Sequence, residues 1–144
     1  MTNPVAEALA ARLAEHPDYR VLRRLDVARE GPAVTGRGAG FAVVLDTETT
    51  GMDPATDKVI ELALVKFEYS RESGAIGRVS DAYDGLEDPG MPIPPESTAI
   101  HHITDDMVRG QRLDETAIDH VLEGAGLVIA HNAGFDRPFV EARL

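Results

Sequence analysis

The stretch Asp46-Thr47-Glu48-Thr49-Thr50-Gly51 constrains this chain more than any other. It follows an apolar run, Phe41-Ala42-Val43-Val44-Leu45, and precedes the turn residues Met52-Asp53-Pro54. The run reads as a buried strand that ends by placing two carboxylates at i and i+2. On a strand those side chains share a face, about 6–7 Å apart along the chain. At about 5 Å and an effective dielectric near 20, their repulsion is roughly 3 kcal/mol. A divalent cation offsets such repulsion, because Mg²⁺ and Mn²⁺ take oxygen ligands and keep positions open for phosphate and water. A solvated acidic turn is the plainer reading of a bare D-x-E pair; the Thr-Thr-Gly that follows argues against it here.

Upstream, Pro4 to about Glu15 reads as a helix, with Val5, Leu9 and Leu13 at i, i+4 and i+8 and Ala between them. Tyr19, Leu22 and Leu25 line one side of a short amphipathic stretch, and its Arg cluster reads as a solvated face. Gly31 to Gly40 is a Gly-rich linker without a phosphate-loop pattern, read as the boundary between an appendage, 1–40, and a core domain, 41–144. Downstream of the acids, Lys58 to Tyr69 is a strong β-type run, interrupted only by Glu61, which reads as an edge-facing or hydrogen-bonded acid. Arg71 to Gly74 is a hairpin turn, Ala75 to Tyr83 a weaker third strand, and Asp84 to Pro95 a loop. Thr104 is placed to cap a helix starting at Asp105. Leu113 to Glu123 reads as a helix stopped by Gly124, and Leu127 to Ala130 as a short buried strand.

A second chemical stretch, His131-Asn132-Ala133-Gly134-Phe135-Asp136-Arg137-Pro138-Phe139, follows that strand directly. A turn at Gly134 and a helix with Pro138 in its first turn place Asp136 near a helix N-terminus, where a carboxylate is favoured. Phe135 reads equally as site or as core. Adjacent His101 and His102 suggest a metal pair, but sequence neighbours seldom converge on one ion.

Both stretches resemble the first and second motifs of the DnaQ-like (DEDD) 3′–5′ exonucleases, a family that includes the proofreading subunits of bacterial replicative polymerases. The resemblance spans about residues 41–144. It implies an α/β fold, a ribonuclease H-like mixed sheet flanked by helices, here C-terminally incomplete and preceded by a helical appendage. It implies phosphodiester hydrolysis with two metal ions, Mg²⁺ or Mn²⁺, held by Asp46, Glu48 and Asp136. It implies a pocket for the terminal nucleotide bordered by His101 and Ile103, with Thr47, Thr49, Thr50, Asn132 and Phe135 about the substrate. The expected partner is nucleic acid with a free 3′ end, DNA rather than RNA, together with a polymerase subunit.

His131-x-Ala133-x-x-Asp136 also fits the spacing of the family's third motif, H-x-A-x-x-D, which supplies a general-base His and a fourth acid. Its position directly after a strand assigns it to the second motif instead, so His131 is not read as the base. The third motif then has no counterpart before Leu144. The expectation is therefore an impaired enzyme, or a non-catalytic nuclease-like module that binds ends or a polymerase; a different aspartate-based phosphohydrolase explains Asp46 but not the second stretch.

The net charge of −11 sits poorly with a tight duplex binder. Residues 1–40 carry six Arg and five acids; residues 41–144 carry eight basic residues and twenty acids. Cations bridging acid and phosphate reconcile that balance with a nuclease. There is no cysteine, hence neither disulfide nor thiolate metal site. The absence of a long apolar stretch or signal-like N-terminus gives the expectation of no membrane and a cytoplasmic protein.

Overall fold

The computed structural model describes residues 3–22 and 31–144. Helix α1 spans Pro4–Ala14, with Pro4 in its first turn and the Asn3 side chain accepting hydrogen bonds from the Val5 and Ala6 amides. It buries no side chain, and Val5, Leu9 and Leu13 remain exposed. Local propensity and the cap hold it, rather than packing. Tyr19 and Leu22 lie in irregular chain, whereas Arg23, Arg24 and Leu25 lie outside the described residues.

The Gly-rich segment is tied to the sheet rather than standing free. Val34 N–H donates to Glu68 Oε2 at 2.9 Å, and Arg78 Nε donates to Glu68 Oε1 at 2.7 Å. These two bonds, the Val34 amide first, hold the Glu68 carboxyl below its ordinary value.

Four strands form one open mixed sheet: β1 (Ala39–Thr49), β2 (Val59–Ser70), β3 (Ile76–Leu86) and β4 (Ala125–Ile129), in the order β3-β2-β1-β4. β1 pairs antiparallel with β2 and parallel with β4, and β2 pairs antiparallel with β3. The acid-bearing strand is thus flanked on both sides, as the ribonuclease H-like reading requires. Between β3 and β4 lie α2 (Pro95–His101), α3 (Asp105–Val108) and α4 (Glu115–Leu122); α5 (Ala133–Arg143) follows β4.

The sheet has two unlike faces. Val43, Leu45, Leu62 and Leu64 point to one face and join Leu113, Ile118, Val121 and Phe139 in the main core beneath α4 and α5. Ile60, Ile93, Ile103 and Val108 form a smaller core where α3 meets the end of β2. The opposite face leaves Val44, Val65, Leu127 and Ile129 exposed. Among the described residues no helix is long and apolar enough to cross a membrane.

Several boundaries differ from those read in the sequence. β3 runs on to Leu86, three residues past Tyr83. Pro95 opens α2 instead of closing a loop, because its fixed φ and missing N–H suit a first helical turn. β4 is not a buried strand: Leu127, Val128 and Ile129 are 38–49 % exposed, because β4 is the edge strand and pairs only with β1. Helix α5 starts at Ala133, so Pro138 stands inside it rather than in its first turn. The Asn132 carbonyl opens this helix, accepting from the Phe135 and Asp136 amides.

Candidate active site

The two strand-end acids do share a face. In an antiparallel ladder directly paired residues point the same way. Asp46 pairs with Ala63, Glu48 with Glu61, and Ala63 with Asp84. One face therefore carries Asp46, Glu48, Glu61 and Asp84, and none of these carboxylates has a hydrogen bond or ion pair to a described residue. Asp46 is exposed and Glu48 half-buried. The Glu48 carboxyl is raised above its ordinary value, first by burial and then by the charges of Asp46 and Asp136. The Glu61 carboxyl is raised as well, by burial and by Asp84, Glu48 and Asp46. Glu61 is thus not edge-facing, since β2 lies between β1 and β3, and it is hydrogen-bonded to no described residue. Strand periodicity could not reveal this, because it depends on the β1–β2 register.

Asp136 comes from α5 and is buried. Thr47 Oγ1 donates to its Oδ1 at 2.9 Å. Thr47 lies on the core side of β1, between its acidic neighbours, so Asp136 approaches β1 from the helix-covered face and acts on Glu48 only through its charge. Among the described residues no three His, Asp or Glu side chains converge closely enough to hold a metal ion. Asp46 and Glu48 offer oxygen donors of the right chemistry for Mg²⁺ or Mn²⁺, whereas the Asp136 carboxylate is engaged by Thr47. Thr47→Val keeps the shape and removes that donor, leaving a buried carboxylate short of a hydrogen bond. The expected loss is about 1–3 kcal/mol of unfolding free energy in urea titration without added cation.

The turn after β1 is built by its own side chains. Thr49 Oγ1 donates to the Gly51 carbonyl at 2.6 Å, and Thr50 Oγ1 donates to Asp57 Oδ1 at 3.2 Å while accepting from the Lys58 amide. An added Cβ at Gly51 would stand 2.5 Å from Asp57 Oδ2, so that carboxylate would have to shift from its bonds to Thr50 and the Asp53 amide. The three threonine hydroxyls are therefore committed within the protein.

A cleft opens beside these residues, lined by Thr47 to Met52, by Glu96, Ser97, Ile100 and His101 of α2, and by Phe135. Ser97 Oγ donates to the Thr50 carbonyl at 2.8 Å and ties α2 to the strand end. His101 Nδ1 accepts from the Ile103 amide at 3.0 Å. Burial and neighbouring His102 lower its affinity for a proton, so the neutral ring carries its hydrogen on Nε2 and is a donor. Nε2 itself is buried without a partner among the described residues. Phe135 meets both sequence readings: it lines the cleft and packs on the main core, 4.9 Å from the Phe139 ring. Ile103 belongs to the smaller core, not to the cleft wall. Asn132 and His131 are exposed outside it. Glu96, Ser97 and Ile100 are cleft residues that the sequence reading did not assign, since it named only His101 and Ile103 in this stretch and gave it no helix.

The raised Glu48 carboxyl gives a pH dependence. A carboxyl that holds its proton more tightly when folded favours the fold below its ordinary value of 4.5. That contribution is lost as pH rises through the raised value. A hard cation is ligated by the carboxylate and not by the neutral carboxyl, so any affinity of Glu48 for one rises over the same range. Melting temperatures recorded from about pH 4 to about pH 7 should therefore show Glu48→Gln gaining on wild type as pH rises. Added Mn²⁺ should reverse the difference.

An open mixed sheet with carboxylates at the end of its central antiparallel strand, covered by helices on one face, is the ribonuclease H-like exonuclease fold. Residues 43–144 match the model of the RNase T exonuclease family, and the chain belongs to that family. It is 37 % identical over 102 residues to the DNA polymerase III PolC-type of Lacticaseibacillus paracasei, covering 69 % of this chain and 6 % of that protein. It is 39 % identical over 110 residues to a DNA polymerase III subunit epsilon-like protein of Rhodobacter capsulatus, covering 70 % of this chain and 14 % of the relative. Among solved structures, exonuclease X in complex with 5′ overhanging duplex DNA superposes with a TM-score of 0.51 at 32 % identity, over 68 % of this chain and 52 % of that one. A structure of exonuclease I, at 19 % identity and a TM-score of 0.55, shares the fold. The chain thus spans a small part of the polymerase relatives and about half of exonuclease X.

Proposed function

We propose that this chain carries the acidic centre of a divalent-cation-dependent 3′–5′ exonuclease that removes nucleotides from single-stranded DNA ends, in proofreading or repair. The observation that carries the reading is the pair Asp46 and Glu48 on one face at the end of β1, bonded to no described residue, with the cleft beside them. DNA rather than RNA is favoured by the polymerase III relatives and by the DNA bound in exonuclease X.

Asp46, Glu48 and Asp136 are the residues that would hold Mg²⁺ or Mn²⁺. When bound, the cation supplies charge stabilisation at the scissile phosphate and a more acidic attacking water. The chain's own residues do the rest. Phe135 offers a ring edge or face to a terminal base, a contact that tolerates any sequence. His101, neutral and protonated on Nε2, is a donor and not the acceptor of the water's proton. The Ser97 bond to the Thr50 carbonyl holds the two cleft walls in register. The Thr47 hydroxyl holds Asp136 against β1.

The engagement of Asp136 by Thr47 favours a second reading, a nuclease-like module that binds DNA ends or a polymerase without turnover. A 5′-labelled single strand separates the two. Stepwise shortening from the 3′ end with Mn²⁺, abolished by chelator, supports the enzyme. An intact strand retarded on a native gel supports the module. Release of the labelled 5′ nucleotide first would overturn the proposed polarity.

A further inference from the structure

Glu61 is a carboxylate that the strand-end motif does not include, yet it stands against that motif. It pairs directly with Glu48 across the β1–β2 ladder. Paired residues of this kind have Cβ atoms about 4.5–5.5 Å apart on one face. Two positions along β2, Ala63 pairs with Asp46, so Glu61 and Asp46 share that face as well. Other acids with restricted exposure have partners: Glu68 has Arg78, Glu87 has Arg143, and Asp57 has Thr50 and the Asp53 amide. Glu61 is half-buried and has no such bond to a described residue. A side chain that served only the fold would not be left with its charge facing two others.

We infer that Glu61 is a positioning residue of the acidic centre, whose carboxylate accepts hydrogen bonds from the water ligands of a divalent cation held by Asp46 and Glu48. The inference rests on the cation-dependent reading above. Mg²⁺ and Mn²⁺ sites with few protein ligands keep several bound waters, and those waters need acceptors. Outer acceptors of this sort typically change metal affinity about 10–100-fold when removed. Glu61 is suited to the task because its strand is fixed on both sides, by β1 and β3. Asp84, one strand further out and paired with Ala63, extends the same charged face.

The test is Mn²⁺ titration followed by electron paramagnetic resonance, which reads free ion and requires no catalysis. Glu61→Gln, equal in shape, should weaken Mn²⁺ binding about tenfold or more. Glu61→Asp, which keeps the charge, should lie closer to wild type. Without cation, Glu61→Gln should melt no lower than wild type, since it removes repulsion and no bond. Wild-type affinity in Glu61→Gln overturns the inference while leaving the cation reading intact. Failure of the wild-type chain to bind Mn²⁺ overturns both. A Glu61→Gln chain that melts well below wild type without cation assigns Glu61 a structural role and overturns the inference.

Discussion

Asp46→Asn should lower the proposed 3′-end digestion by at least about 100-fold, more than the usual effect of changing a residue that only supports a metal ligand. The substitution keeps the side-chain shape and exchanges an anionic oxygen for an amide that cannot ligate a hard cation well. Asp46 is exposed and bonds to no described residue, so the fold loses nothing. Its charge raises the Glu48 carboxyl; removing it eases that repulsion, and the cation-free protein should melt at or above the wild-type temperature. Loss of activity with gain or retention of stability is the signature of a residue kept for chemistry. Asp119→Asn, an exposed acid on α4, is the matched control and should leave digestion unchanged. Equal activity in Asp46→Asn and Asp119→Asn would contradict the assignment.

The largest stability effect is expected at Phe139. Its side chain is 2 % exposed in the main core and its ring lies 4.9 Å from that of Phe135. Phe139→Ala should cost about 3–5 kcal/mol, the range for truncating a buried aromatic ring. That is a large share of the roughly 5–15 kcal/mol that holds a typical domain together. The consequence reaches the acids. Phe139 and Asp136 are three residues apart on α5, so they share a face of that helix. Loosening the ring loosens the seat from which Asp136 meets Thr47. Urea unfolding should show the loss, and Phe139→Leu should show a smaller one. A loss below about 1 kcal/mol for Phe139→Ala would mean that α5 does not anchor the core as described.

What could be read in advance follows from how local each signal is. That Asp46 and Glu48 share a face was legible because residues i and i+2 of a strand always do. The position of Asp136 beside β1 was legible because a strand leads straight into its helix. Its buried bond to Thr47 was not, since it links residues 89 apart in sequence. Glu61 looked incidental for the same reason: the β1–β2 register alone brings it to Glu48. α2 was hidden because Pro94 and Pro95 read as loop signals, although Pro95 is acceptable in a first helical turn. His102 shows the reverse. Its φ of 64° closes α2 in the left-handed region. That is the conformation glycine adopts at least expense, and here a non-glycine residue holds it. The exposure of β4 could not be read from its composition, because Leu127, Val128 and Ile129 are apolar whether or not anything covers them.

The account stands on Asp46 and Glu48 being a cation site. The most direct measurement is anomalous scattering from crystals of the protein soaked in Mn²⁺. A manganese peak on the sheet face of Asp46, Glu48 and Glu61, absent from crystals of Asp46→Asn, is the predicted result. Manganese bound only elsewhere, or a peak that persists unchanged in Asp46→Asn, would contradict it.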